Sequence, residues 1–365
     1  MRYLLSILTA VLALLLAAAA APTFAQETTP EATAEAQAPT ELPPSARLDG
    51  LTLIWQDINR CSAAALSIQI SYFGPYVYDA AVRELTPHIE DVAVRLDEMI
   101  RFAADYELMG IERYGGTLDM LKALVAGGFP VLIENSYYDG GGGFRDWMGH
   151  NRVVMGYDDA QQVLLTFDSL LGAGPDQLGR PIPYADVAER WRAFNYDYLV
   201  LYRPEDEEKL RAIMGAHWDA TYNAEWALQL AQTELEGESP DTFSLFNLGS
   251  SLAMLGRYEE AADAFDRARE IGLPWRMMWY QYGPFEAYLN TGRHQDALTL
   301  AQQVIATTAG VEEAYYYAGL AYEALGDTMR AESNFQVAVM RNMYFTAASD
   351  ALARVRGDTA QAAGS

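Results

Sequence analysis

The chain has 365 residues, 50 of them acidic and 25 Lys or Arg, for a formal net charge of −25 at pH 7. A balance this acidic argues against nucleic acid and anionic lipid as partners. The single cysteine, Cys61, excludes an internal disulfide; in an exported chain an odd thiol means intermolecular pairing or a free reactive group.

Residues 1–25 place Arg2 before an unbroken apolar run that ends in small residues around Ala25. That order is a secretory signal peptide with cleavage after Ala25; the run is also nearly long enough to serve as an uncleaved anchor. A lipid anchor is excluded, because no cysteine stands beside the cleavage site. The folded part is therefore expected outside the cytoplasm, secreted, periplasmic or at the cell surface, with no membrane insertion of the mature chain. Residues 26–48 are rich in Thr, Pro, Glu and Ala and lack aromatics, so they are expected to form a disordered linker.

Residues 49–204 read as one α+β domain. A helix is expected from Cys61, with Ala64, Ala65, Ile68 and Tyr72 on one face; others are expected over 89–106 and 117–125. Thr117 is suited to cap the last of these, and Gly127 and Gly128 stop it. Short β-branched or aromatic runs at 131–133, 152–157, 163–167 and 198–202 read as strands. Helices come first and strands later, which suits an α+β domain and not alternating α/β.

After Pro204 the strand pattern vanishes. Residues 205–240 are expected to form connecting helices. Gly256, Gly292 and Gly326 then recur at spacings of 36 and 34, each followed five residues later by Ala261, Ala297 and Ala331. Residues 241–345 thus resemble tetratricopeptide repeats, helix–turn–helix units whose small residues let helices approach closely, with 346–365 as capping helix and tail. The middle unit departs from the pattern, since Gly283-Pro284 interrupts its first helix and Phe285 takes a small-residue position. The repeats are expected to bury their core between neighbouring units and not against the sheet domain, and to recruit a protein or peptide.

Cys61 stands at an expected helix start, where unpaired N–H groups favour the thiolate. Gln56, on the incoming loop, could offer an amide N–H to a substrate carbonyl beside the Cys61 N–H. Of four histidines, His217 and His294 fall in the helical region and His88 follows Pro87. His150 instead follows a glycine-rich stretch at 140–143, expected to be a mobile loop, and stands at a strand start. The returning strand delivers Asp168 beside it, where a carboxylate can orient the imidazole. No His-Glu-x-x-His, paired Cys-x-x-Cys, Walker or dinucleotide-binding spacing occurs, so neither metal nor cofactor is expected.

Together these residues resemble the bacteriocin-processing, double-glycine-leader type of papain-like cysteine peptidase. The likeness runs from about Leu51 to Arg203, through Gln56 and Cys61 before an alanine-rich helix ending SYFG, then YGGTLDMLKALVAGGFPVLIE, GHNRVVMGYDD and FDS. It implies a papain-like fold, a helical half packed on an antiparallel sheet, with oxyanion Gln56, nucleophilic Cys61, general base His150 and orienting Asp168. Two positions depart from the family: Ser62 stands where glycine is common, and Ser169 where proline is usual. The leading reading is an exported peptidase acting on a peptide or protein substrate. Its rival is a catalytically silent peptide-binding module whose repeats act as a protein-interaction scaffold, and acyl transfer is a third.

Overall fold

The computed structural model describes residues 42–138, 147–237 and 241–357. The signal peptide, most of the linker and the glycine run at 140–143 lie outside these. In chain order, the first part holds β1 (Ser45–Arg47), α1 (Cys61–Ser71), α2 (Tyr78–Leu85), α3 (Leu96–Ala104), β2 (Met109–Arg113), α4 (Leu118–Ala126), β3 (Val131–Tyr138), β4 (Trp147–Asp158), β5 (Val163–Phe167), β6 (Arg180–Pro183), α5 (Tyr184–Trp191), β7 (Tyr198–Tyr202) and α6 (Glu207–Met214). The strands form one antiparallel sheet in the order β2-β7-β3-β4-β5-β6.

Strand alternation gives this sheet two apolar faces. Leu132, Val153 and Leu199 pack on α1 and α3. Val131, Ile133, Val154 and Val200 pack on the opposite side with Leu121, Leu124 and Val187 of α4 and α5. α1 does not show one face, as the spacing suggests: every residue from Ser62 to Ser71 is buried. A helix apolar all round is an interior helix, and its few polar side chains satisfy neighbouring backbone. Gln69 Nε2 donates to the Pro130 and Leu199 carbonyls, and Ser67 Oγ to that of Ala63.

Three expectations need correction. Residues 45–47, placed in the disordered linker, pair with 156–158 of β4, the part of that strand beyond β3. The helix expected over 89–106 occupies only Leu96–Ala104. Its start is set by the Glu98 carboxylate accepting the Arg95 N–H, while Asp91 ties back to the His88 N–H in the preceding turn. β4 begins at Trp147, so His150 lies within the strand and not at its start. The Thr117 cap is formed, its hydroxyl accepting the Met120 N–H at 3.1 Å.

The second part is all helix: α7 (Ala220–Leu235), then the pairs α8 (Thr242–Met254) with α9 (Tyr258–Ile271), α10 (Gly283–Asn290) with α11 (His294–Thr307), and α12 (Glu312–Ala324) with α13 (Thr328–Arg341), closed by α14 (Thr346–Arg356). Gly256, Gly292 and Gly326 turn each pair at φ of +71°, +74° and +83°, a region that favours glycine. Where the first and third pairs carry Phe265 and Phe335 in the second helix, the middle pair carries Ala301, and Phe285 takes the glycine position. Phe285 is fully buried and stacks on Tyr317 at 4.8 Å.

The repeats do not bury their core only among themselves. Trp147, Ala193 and Phe194 of the sheet domain belong to the same apolar cluster as Phe246, Phe265 and Phe285. Polar ties reinforce this junction: Asn195 Nδ2 donates to Ser251 Oγ at 3.1 Å, Asn247 Nδ2 to the Arg192 carbonyl at 2.7 Å, and Arg192 pairs with Asp241 at 2.7 Å. The expectation fails because the aromatic residues that bridge the two parts sit in short loops and strand ends, where no periodicity marks them.

Candidate active site

α1 begins at Cys61, so the half-buried thiol stands at the N-terminus of a helix that is buried from Ser62 onward, the end where backbone N–H groups lack helical partners. β4 supplies His150 and Arg152, two residues apart, and the end of β5 supplies Asp168. The antiparallel register pairs Val153 with Phe167, which brings the next residue, Asp168, back toward Arg152 and His150. His150 Nε2 and Asp168 Oδ1 are 2.9 Å apart, with the two residues 3% and 0% exposed.

Asp168 is held from every side. Its Oδ1 also accepts the Leu170 and Leu171 N–H groups, both at 2.8 Å, and its Oδ2 accepts Arg152 Nε at 2.7 Å. Burial opposes its charge, but the hydrogen bond to His150 and the charges of His150 and Arg152 keep it ionised, far below the usual carboxylate range. With Nε2 committed to Asp168, Nδ1 is the ring nitrogen free for the thiol.

Cys61 and His150 act on each other electrostatically and shift each other in opposite directions. Burial raises the thiol, yet the hydrogen bond and charge of His150 outweigh it, and Cys61 lies below its ordinary value. Burial lowers the imidazole, yet bonds to Asp168 and Cys61 push His150 up to about 9. This is the electrostatic signature of a thiolate–imidazolium pair. Asn151 adds a neighbour absent from the sequence reading: its Oδ1 accepts Ser62 Oγ at 2.9 Å and lies 3.7 Å from Cys61 Sγ. Ser62 thereby has a role that glycine could not fill.

Gln56 reaches the same place from the loop before α1. Its N–H donates to the Ser169 carbonyl at 3.0 Å, and its Oε1 accepts Ser169 Oγ at 2.7 Å. The amide Nε2 is left without a partner among the described residues. The other histidines are elsewhere: His88 is exposed beside Asp91, His217 lies against Tyr222 and Trp226, and His294 opens α11. Among the described residues no three His, Cys, Asp or Glu side chains converge to hold a metal ion.

Arg152, Asn151 and Ser169 are the participants that sequence reasoning misses. Arg152 is within its reach, because residues i and i+2 of a strand share a face and His150 is already singled out. Ser169 stands out in the sequence only as a departure from proline. A cavity of about 350 Å³, lined by none of the four candidate site residues, runs between the sheet domain and the repeats, with Glu112, Glu134 and Asp197 on one side and Tyr280, Gln281 and Tyr282 on the other. Burial pushes the Glu134 and Asp197 carboxyls well above their usual range; the charges of Asp197 and then Cys61 add to the first, that of Glu112 to the second.

Residues 33–198 match the model of the Peptidase_C39 like family, and residues 242–272 and 313–339 match models of the tetratricopeptide repeat. Among solved structures, MamA 41-end from Desulfovibrio magneticus RS-1 is 24% identical, covering 38% of this chain and 76% of its own, with a TM-score of 0.34. A C39-like peptidase from Bacillus anthracis is 16% identical, covering 44% of this chain and 98% of its own, with a TM-score of 0.33. No curated protein matches the chain. The chain is thus a Peptidase_C39-like domain followed by tetratricopeptide repeats.

Proposed function

We propose that the protein is an exported cysteine peptidase that hydrolyses peptide bonds, its repeats recruiting the protein or peptide to be cut. The observation that carries this reading is the buried His150–Asp168 pair at 2.9 Å with Cys61 at the start of α1 within its field, the thiol lowered and the imidazole raised. The apolar run after Arg2 supports export.

In this reading the Cys61 thiolate attacks the substrate carbonyl carbon, and the electron pair of the C=O bond moves to oxygen. Gln56 Nε2 and the Cys61 N–H donate to that oxyanion. Collapse breaks the C–N bond, and His150 gives its proton to the departing amine, leaving a thioester. Water then attacks the thioester as His150 takes its proton; the carboxyl product leaves and His150 recovers the imidazolium state beside the thiolate. Asp168 holds the ring throughout, and Arg152 holds Asp168.

The test is peptide-library digestion by the full chain beside Cys61→Ala, read by mass spectrometry. New termini produced by the first and not the second support the reading. A library left intact, while a substrate-like thioester-forming probe also fails to label Cys61, would overturn it.

A further inference from the structure

The middle repeat breaks the pattern of its neighbours, and the break faces the candidate site. α9 ends at Ile271 and α10 starts only at Gly283, with a single 3-10 turn, Met277–Trp279, in between. This connection lies on the strand that carries His150. Arg276 Nη1 donates to the Trp147 carbonyl at 3.2 Å, and Gln281 Nε2 donates to the Ala193 carbonyl at 2.8 Å.

Between these two clamps stands Tyr280. Its ring meets Trp147 and Phe194 edge-on, with centroids 5.8 and 6.0 Å apart, while Trp147 and Phe194 stack on each other at 5.6 Å. The same ring covers Gly149: a Cβ there would lie 2.9 Å from Tyr280 Cε1. Gly149 directly precedes His150. Burial, followed by the charge of Cys61, pushes the Tyr280 phenol above its ordinary value, so the ring lies within the field of the nucleophile. Tyr280 also lines the cavity between the sheet domain and the repeats, opposite Glu134 and Asp197.

We propose that Tyr280 is a positioning residue of the peptidase site: delivered by the interrupted repeat, its ring fixes the backbone at 147–150 and so the approach of His150 to Cys61. The repeats then complete the site as well as recruiting to it. His150 is the fourth residue of β4 and pairs with Asn135 of β3, so the backbone that Tyr280 covers at Gly149 is the strand segment that carries the imidazole. The aromatic contact on that segment comes from the other part of the chain. The interruption at Gly283-Pro284 is thereby accounted for: it shortens α10 and releases the stretch that reaches the site.

The inference rests on the peptidase reading, and its test separates the two. Tyr280→Leu in the full chain keeps an apolar side chain there and removes the flat ring. With His150 less well held, the pH at which Cys61 alkylation by iodoacetamide is half-maximal should move up toward the free-thiol value of about 8.5. Misplacement of about 1 Å costs on the order of 10²-fold, so kcat should fall on that scale with KM changing much less. Tyr280→Phe, which keeps the ring, should recover most of both. If Tyr280→Leu does not fold by circular dichroism, Arg276→Ala with Gln281→Ala loosens the same connection and should produce the same upward shift. A folded variant with the wild-type alkylation profile and wild-type kcat overturns the inference, even where its melting temperature has dropped. A wild-type chain whose own thiol titrates near 8.5 overturns the peptidase reading beneath it.

Discussion

The Ser169 hydroxyl donates to Gln56 Oε1 at 2.7 Å, and the Gln56 N–H donates to the Ser169 carbonyl at 3.0 Å. This double tie fixes which end of the amide is occupied. The oxygen is taken by Ser169, and the Nε2 donor remains for a developing oxyanion. In the proposed reaction Gln56 therefore acts on charge that forms only during attack, not on the resting thiol.

Gln56→Ala should lower kcat for peptide hydrolysis by about 10²–10³-fold. Ser169→Ala, which frees the amide to rotate, should cost about tenfold, the worth of one neutral hydrogen bond. Iodoacetamide labelling of Cys61 builds no oxyanion and should stay within a few-fold in both variants. Labelling and hydrolysis falling together would instead make Gln56 a support for the loop that carries Cys61.

Arg152 and Asp168 form a buried ion pair at 2.7 Å, their side chains 6% and 0% exposed. Removing one partner of such a pair strands the other charge and costs about 3–5 kcal/mol. Arg152→Met should reduce unfolding stability in urea on that scale. A loss under about 1 kcal/mol would mean that His150 and the two backbone N–H groups suffice for Asp168.

Much of this site is legible in the sequence, for a physical reason. Gln56, Cys61, His150 and Asp168 each stand next to a local signal: a loop before a helix, a helix start, and two strands joined by a tight turn. β1 is not legible, because Ser45–Arg47 carries no apolar alternation and exists only through pairing with β4. The spacing overextends the helix to 89–106 because Ile89, Val92 and Val94 continue its apolar pattern, although side-chain bonds from Asp91 and Glu98 close that backbone into a turn and a cap. The contact of Tyr280 with Gly149 is hidden for the same reason as β1: residues 131 apart in sequence meet through tertiary packing alone.

The junction between sheet domain and repeats should be sensitive to pH. Arg95 Nη1 bonds Glu313 Oε1 at 2.8 Å, and Asn342 Nδ2 donates to Glu98 at 2.6 Å and to Glu312 at 2.8 Å. Burial, offset in part by Arg95 and reinforced by Glu98, pushes Glu313 up to about 7. Its carboxyl thus binds a proton more tightly folded than unfolded, where the ordinary value is about 4.3. The associated stability is fully present below that unfolded value and is lost as pH rises through about 7. Glu313→Gln should therefore make the urea midpoint less dependent on pH between about 5 and 8 than it is in the wild type. An identical pH dependence in the two proteins would contradict this.

Gly310, between α11 and α12, packs so closely on the Glu90 carbonyl that a methyl group would overlap it. The obstacle is backbone on both sides, so no side chain can turn away to relieve it. Gly310→Ala should destabilise the full chain by about 1–3 kcal/mol, the usual range for overpacking. A thermal midpoint equal to that of the wild type would show that the junction yields at this point.

The central claim is that Cys61 rests as a thiolate paired with protonated His150, and the pH dependence of its alkylation tests this most directly. The rate of iodoacetamide labelling, followed by mass spectrometry of the Cys61 peptide, should reach half its plateau well below the free-thiol value of about 8.5. His150→Ala should move that midpoint up to or beyond the free value, whereas His88, His217 and His294 variants should leave it in place. A wild-type midpoint near 8.5 that His150→Ala does not move would contradict the account.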